Sequence, residues 1–523
     1  MPFFTTDKTD LPKRPILKPH CGPVQGHFRR GISCYKGIPY AMPPIGKRRF
    51  RAPEPMPPWE DVRDCSKYGD SSLQMGGITL DSPGTYQMDG KSEDCLFLNV
   101  WTPALTPEER FPVYVFIHGG AFSSGSGSEM VYDGGRMAQE GVVVITINYR
   151  LGALGFLATQ GLLEEAGTTG NYGILDQIQA LQWIQTNIES FGGDPDQVTV
   201  GGQSAGAYCV TALMLSPLAK GLFHQAVIES GSIFSISAFS ALNRGNLQKT
   251  MANGKLLCDL YGIADSLDGL DQLRALPGDI FAALSMVKSD QSTVPKAFGF
   301  WPVFDGVVLP KDPVKALKNG EVNKVKILAG YNTDESSLFI KGHTNLGIYQ
   351  MLCYHIFGSQ NAPSALDHFF VDDDHPPLDR ALEIYTYAAF LIGMVMIAKQ
   401  YAQLEQDVYF YNFDFDPAIL KIVGLNTAHG MELPFVFGNG IGQRRATKIS
   451  NLSWVMQQSW VNFIKYGNPN FKAEYKGQIV WPKFDPENKY IMVFDTRLSS
   501  KNLPNQEDLE FLETLMFDGN IDL

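Results

Sequence analysis

Apolar residues along this 523-residue chain fall into two recurring patterns. The first is a set of short continuous runs rich in β-branched and aromatic side chains: "VYVFIHGG" (113–120), "VVVITINYR" (142–150), "VKILAGY" (325–331), "DVYFYNFDF" (407–415) and "YIMVFD" (490–495). Runs of this length without polar alternation predict strands buried on both faces, as in a parallel sheet covered by helices. The second pattern is helical. Between 174 and 188, apolar side chains stand at 174, 178, 181, 184 and 188, steps of three and four that line one face of an α-helix. The turn "FGGDPDQ" is expected to end this helix, "VTV" (198–200) to form the next strand, and "AGAYCVTALML" after Ser204 to form another helix. Strands alternating with helices predict an α/β fold, a central mostly parallel sheet flanked by helices, with large loop and lid insertions. No repeat or low-complexity linker divides the chain, so residues 1–523 are expected to form a single domain.

One apolar stretch fits neither pattern. "IYTYAAFLIGMVMIA" (384–398), bounded by Glu383 and Lys399, is shorter than the roughly 20 residues that span a bilayer, so it is expected as a buried helix or an apolar lid without stable membrane insertion. The composition, 44% hydrophobic and 19% charged, is that of a folded globular protein. A net charge of -12 and a pI near 5.3 work against nonspecific binding to nucleic acid or anionic membranes. The basic "KRRFR" (47–51) is accordingly expected as a short solvated turn. The N-terminal "MPFFTTDKTDLPKRPILK" has early acidic residues and no continuous apolar core, so a cytoplasmic location is expected. Seven cysteines form no CxxC pair and nine histidines no HExxH, so neither a metal nor another cofactor is expected.

The candidate chemistry lies at "VTVGGQSAGAYCV" (198–210). Gly202, Ser204 and Gly206 make a G-x-S-x-G between a strand and a helix, a turn that lifts a serine hydroxyl clear of the backbone. Such a serine needs a base, an acid to orient that base, and N–H donors for the oxyanion that forms during attack. "FIHGGAFSSG" (116–125) follows a strand with small residues able to turn their amides toward a ligand. Of the histidines, His118 belongs with that loop and His224 suits a structural role, whereas His429 in "NTAHGMELPF" lies late in the chain after a strand, where a base is expected. The acid is expected at a strand end, and "AGYNTDESSLF" offers both Asp334 and Glu335.

Several of these segments together resemble the type-B carboxylesterase and cholinesterase branch of the α/β hydrolases. "FGGDPDQVTVGGQSAG" (191–206) is similar to its serine signature and "EDCLFLNVW" (93–101) to its second signature, and the likeness continues through "NYRLGALGFL" (148–157), "GNYGILDQIQALQWI" (170–184) and "HGMELPFVFG" (429–438). The resemblance implies an α/β-hydrolase fold and hydrolysis of small carboxylic esters, with Ser204 as nucleophile, Glu335 as acid, His429 as base, and the amides of Gly120, Ala121 and Ala205 as oxyanion donors. Ser230 resembles a serine that supports the site in relatives. Cys65 and Cys95 occupy the positions of a loop-closing disulfide in secreted relatives, which implies a bridge here. The same triad would also serve lactone chemistry or acyl transfer to an alcohol or amine, and some members of the family are non-catalytic adhesion modules. Cholinesterases carry an indole for a quaternary ammonium on the loop between those cysteines. From 66 to 94 this chain has only Tyr68 and Tyr86 as aromatics, which implies a preference for neutral, apolar esters.

Overall fold

The continuous apolar runs become strands of one eleven-stranded sheet in the computed structural model, which describes residues 15–75, 90–235, 246–284, 299–340, 344–415, 427–439, 448–471 and 479–517. In chain order the strands are β1 (His27–Arg29), β2 (Ile32–Pro39), β3 (Phe97–Thr102), β4 (Phe111–Ile117), β5 (Val143–Ile147) and β6 (Gly193–Gln203). They continue with β7 (Gln225–Glu229), β8 (Lys326–Asn332), β9 (Val408–Phe413), β10 (Tyr490–Phe494) and β11 (Ser499–Asn502). Across the sheet the order is β11-β10-β9-β8-β7-β6-β4-β5-β3-β2-β1. From β10 to β5 all neighbours run parallel, and antiparallel strands close both edges.

Burial on both faces explains the uniform apolar runs. On β4, Val113, Val115 and Ile117 enter one core while Tyr114 and Phe116 enter the other. Helices α1 (Tyr172–Asn187), α2 (Ala205–Leu215) and α3 (Pro377–Gln403) supply the first core, and α4 (Lys448–Tyr466) supplies the second through Met456, Trp460, Phe463 and Ile464. The greasy run at 384–398 lies within α3, whose most apolar window is 89% buried inside the protein, so its hydrophobicity is used in the core.

The structure departs from the sequence reading in three places. Strand β6 already begins at Gly193: Gly193 pairs with Phe111, the chain bulges through the next residues, and pairing resumes at Val198 opposite Val113. The basic stretch at 47–51 is not simply solvated. Arg48, Arg49 and Arg51 face Glu54, Glu93 and Glu165, and buried Arg49 also donates to the carbonyls of Arg274 and Leu276. The Cys65–Cys95 bridge implied by the resemblance is absent, because all seven cysteines are buried free thiols. The two thiols sit in different surroundings: Cys65 lies near Cys21 and Arg63, and Cys95 near the buried Arg150–Asp176 ion pair.

Candidate active site

Parallel strands gather their functional residues at their carboxyl ends. Here β4 runs into Gly120 and Ala121, β6 into Ser204, β7 into Ser230 and β8 into Glu335. Ser204 stands between β6 and α2 at φ 56° and ψ -127°, a backbone state that costs a non-glycine residue about 1–3 kcal/mol. Its neighbours explain how the turn fits. A Cβ on Gly202 would stand 2.5 Å from the backbone of Gly206, and one on Gly206 would collide with the carbonyl of Ile117. Only glycines let β6, α2 and the end of β4 pack this closely. The amide of Ser204 donates to the Glu229 carbonyl at 2.9 Å, tying the turn to β7.

The oxyanion candidates share one arrangement. Ala121 has φ 52° and Gly120 φ 105°, and the N–H groups of Gly120, Ala121 and Ala205 find no acceptor among the described residues. Amides turned outward in this way are available to a developing oxyanion. The loop is pinned from behind. Its Gly120 carbonyl accepts from the amides of Ser123 and Ser124, and Gly152 N–H donates to the Phe122 carbonyl at 2.6 Å. His118 stacks on Tyr149 with ring centroids 4.6 Å apart, and burial pushes its imidazole down to about 4, so at neutral pH it is an uncharged prop for this loop.

Glu335 and His429 are brought together. His429 Nδ1 donates to Glu335 Oε2 at 2.6 Å, and the other carboxylate oxygen accepts the Asn332 backbone N–H, also at 2.6 Å. Glu335 is fully buried. Asp334, its neighbour, enters the site through its main chain, donating N–H to the Thr427 carbonyl at 3.1 Å and so fastening the loop that carries His429. The imidazole is walled by Phe339 and Phe390, with centroids at 5.4 and 4.7 Å. With Nδ1 as donor, Nε2 carries the lone pair, and its neighbour is the Gln203 amide at 3.1 Å. The Ser204 hydroxyl itself has no hydrogen-bond partner among the described residues.

The remaining candidates separate cleanly. Ser230 is fully buried at φ 54°, its amide donates to the Gly330 carbonyl, and its hydroxyl has no partner among the described residues. His224 accepts from Val198 N–H through Nδ1 at 3.2 Å, away from Ser204, as part of the β6–β7 pairing. Tyr68 carries the Lys36 ammonium 3.9 Å above its ring, and Tyr86 lies outside the described residues. Among the described residues no cluster of His, Cys, Asp or Glu is arranged to hold a metal ion.

Sequence reasoning missed several residues here. Phe390, which packs on the His429 ring, lies in a π-helical turn of α3 at Tyr387–Leu391 that the evenly apolar sequence does not announce. Behind His429, Glu229 and Glu432 are both fully buried. Trp460 Nε1 donates to Glu229 at 3.0 Å and Asn332 Nδ2 donates to Glu432, yet each carboxyl keeps one oxygen without a partner among the described residues. Desolvation, reinforced by repulsion from Glu335, pushes Glu432 up to about 7, and desolvation with repulsion from Glu432 pushes Glu229 well above the usual carboxylate range.

A serine on a strained strand-to-helix turn, outward amides beside it and a buried Glu–His pair on a doubly covered parallel sheet define a serine hydrolase of the α/β-hydrolase fold. The chain belongs to the Carboxylesterase family, whose profile matches residues 13–512, and it is an enzyme acting on carboxylic esters. It is 35% identical over 508 residues to the para-nitrobenzyl esterase of Bacillus subtilis (strain 168), covering 94% of this chain and 97% of that protein. It is 33% identical over 512 residues to Carboxylesterase 1D of Rattus norvegicus, covering 92% of this chain and 88% of that one. A solved PNB esterase structure superposes with a TM-score of 0.81 at 32% identity, over 95% of this chain and 99% of the other.

Proposed function

We propose that this esterase hydrolyses neutral carboxylic esters through an acyl-enzyme on Ser204, with His429 as base and Glu335 as its orienting acid. The observation that carries this reading is the 2.6 Å bond from His429 Nδ1 to Glu335, which leaves the lone pair on Nε2, the nitrogen that faces Gln203, the residue before Ser204. In the first half-reaction Ser204 Oγ attacks the ester carbonyl as Nε2 takes its proton, and the carbonyl oxygen, now negative, accepts from the amides of Gly120, Ala121 and Ala205. Collapse expels the alcohol, which receives the proton from Nε2. Water then attacks the acyl group, gives its proton to Nε2, and Ser204 leaves with that proton restored.

The substrate class is read from the aromatic side chains clustered by the Gly120–Ala121 loop and by His429. Phe122 packs against Trp301 and Tyr208 with centroids at 4.9 and 6.2 Å, and Phe339 against Tyr385 and Phe390 at 5.8 and 5.7 Å. These aromatic surfaces suit apolar acyl and alcohol groups. Tyr68, a candidate to face a cationic leaving group, is already covered by Lys36. The test compares kcat/KM for butyrylthiocholine with that for its uncharged 3,3-dimethylbutyl thioester analogue. The two are expected within tenfold, whereas a choline preference beyond tenfold, about 1.4 kcal/mol, would reveal a cation site.

A further inference from the structure

We propose that Gln203 is a positioning residue that caps the His429 lone pair before substrate arrives and competes with the Ser204 hydroxyl for it. This rests on the reading of Ser204 and His429 as nucleophile and base. The Gln203 amide nitrogen lies 3.1 Å from His429 Nε2. Because Nδ1 is committed as donor to Glu335, Nε2 is an acceptor, so it is the NH2 end of the amide that faces it. The Ser204 hydroxyl has no hydrogen-bond partner among the described residues, which agrees with the amide holding the lone pair that the proposed reaction assigns to the serine.

Two glycines shape the slot that keeps the amide there. A Cβ on Gly119 would touch Gln203 Oε1 at 3.2 Å, and one on Gly430 would touch Gln203 Nε2 at 3.6 Å. Gln203 is itself 5% exposed, and the Phe339 and Phe390 rings pack on the imidazole it faces. A neutral donor at this atom holds the imidazole in its Nδ1–H tautomer and imposes a competition that substrate binding must resolve. A carboxylate in the same place would instead favour the imidazolium. The charged groups facing the ring among the described residues are Glu335 on Nδ1 and Glu432 farther along the same loop, with Glu229 behind Glu432. The α3 side contributes the Phe390 ring, the turn after β8 contributes Phe339, and β6 contributes Gln203.

The experiment uses Gln203→Met, which keeps the shape without a donor, and Gln203→Glu, which replaces the donor by a carboxylate. A fluorophosphonate probe reports the rate of Ser204 labelling, and kcat/KM is followed against pH, with thermal melts confirming folded protein. A hydrogen bond of ordinary strength corresponds to a factor of about two to ten in the competition, so Gln203→Met is expected to label Ser204 faster by at least about twofold. Gln203→Glu is expected to move the acid limb of kcat/KM up by about one pH unit or more. Wild-type labelling by Gln203→Met together with a wild-type acid limb in Gln203→Glu would overturn the cap while leaving the triad standing. Failure of the probe to label Ser204 in the unaltered enzyme would instead remove the triad reading on which the cap rests.

Discussion

Replacing Glu335 by Gln removes one charge and no volume, and the surrounding hydrogen bonds dictate which end of the new amide meets the histidine. The Asn332 N–H points at one oxygen of the residue at 2.6 Å, and His429 Nδ1 points at the other. In Glu335→Gln the amide oxygen must stay on the Asn332 N–H, because the reverse orientation buries two donors against each other at about 1–3 kcal/mol. The amide NH2 then faces Nδ1 and turns it into an acceptor, which moves the ring proton to Nε2. The base is then in the wrong tautomer to accept a proton from Ser204. In a serine protease the corresponding acid-to-amide change costs about 10⁴ in kcat, so kcat here is expected to fall by about 10³ to 10⁴, roughly 4 to 5.5 kcal/mol, with little change in KM. Asp334→Asn is expected to keep most of the activity, since Asp334 serves the site through its main chain. Initial rates on p-nitrophenyl acetate, with thermal melts to confirm folding, decide the matter. A Glu335→Gln enzyme within tenfold of wild type, or an Asp334→Asn enzyme crippled in its place, would rule out this role for Glu335.

Two further outcomes concern stability. Asp176 meets buried Arg150 with two side-chain bonds of 2.6 and 2.8 Å, so Asp176→Asn leaves an uncompensated guanidinium and is expected to destabilise the protein by about 3–5 kcal/mol in urea unfolding; a loss under about 1 kcal/mol would contradict this. For Glu432, burial raises the folded carboxyl from 4.5 to about 7, so between those values the folded protein holds a proton that the unfolded chain has released, and stability falls as pH rises through this window. Glu432→Gln is therefore expected to raise Tm relative to wild type at pH 8 and to give little gain at pH 4, and an equal change at both pH values would show that Glu432 does not titrate in this way.

Most of the parallel centre of the sheet was legible because its strands are buried on both faces and therefore written as short apolar runs. The edges were not. β1, β2, β3 and β11 carry mixed polar and apolar residues, and in the centre β7, "QAVIE", is the exception, too short to stand out from its surroundings. The serine turn was legible for a steric reason, since close packing of β6, α2 and the end of β4 demands glycine at 202 and 206. The choice of acid was different. Asp334 and Glu335 are adjacent and chemically alike, and only the turn after β8 makes one side chain face His429 while the other contributes backbone. Gln203 occupies a position that the G-x-S-x-G pattern leaves unspecified, and Glu229 lies about two hundred residues from His429 and Glu432, so the meeting of these side chains is a property of the folded chain.

Catalysis by this esterase turns on whether an ester passes through a covalent intermediate on Ser204. Rapid mixing with p-nitrophenyl acetate, then acid quench and peptide mass spectrometry, observes that intermediate directly. The expected result is a p-nitrophenol burst approaching one equivalent per chain where deacylation is the slower step, an acetyl group on the peptide containing Ser204, and loss of both burst and adduct in Ser204→Ala. An acetyl group on a different residue, or unimpaired turnover by Ser204→Ala, would contradict the acyl-enzyme mechanism.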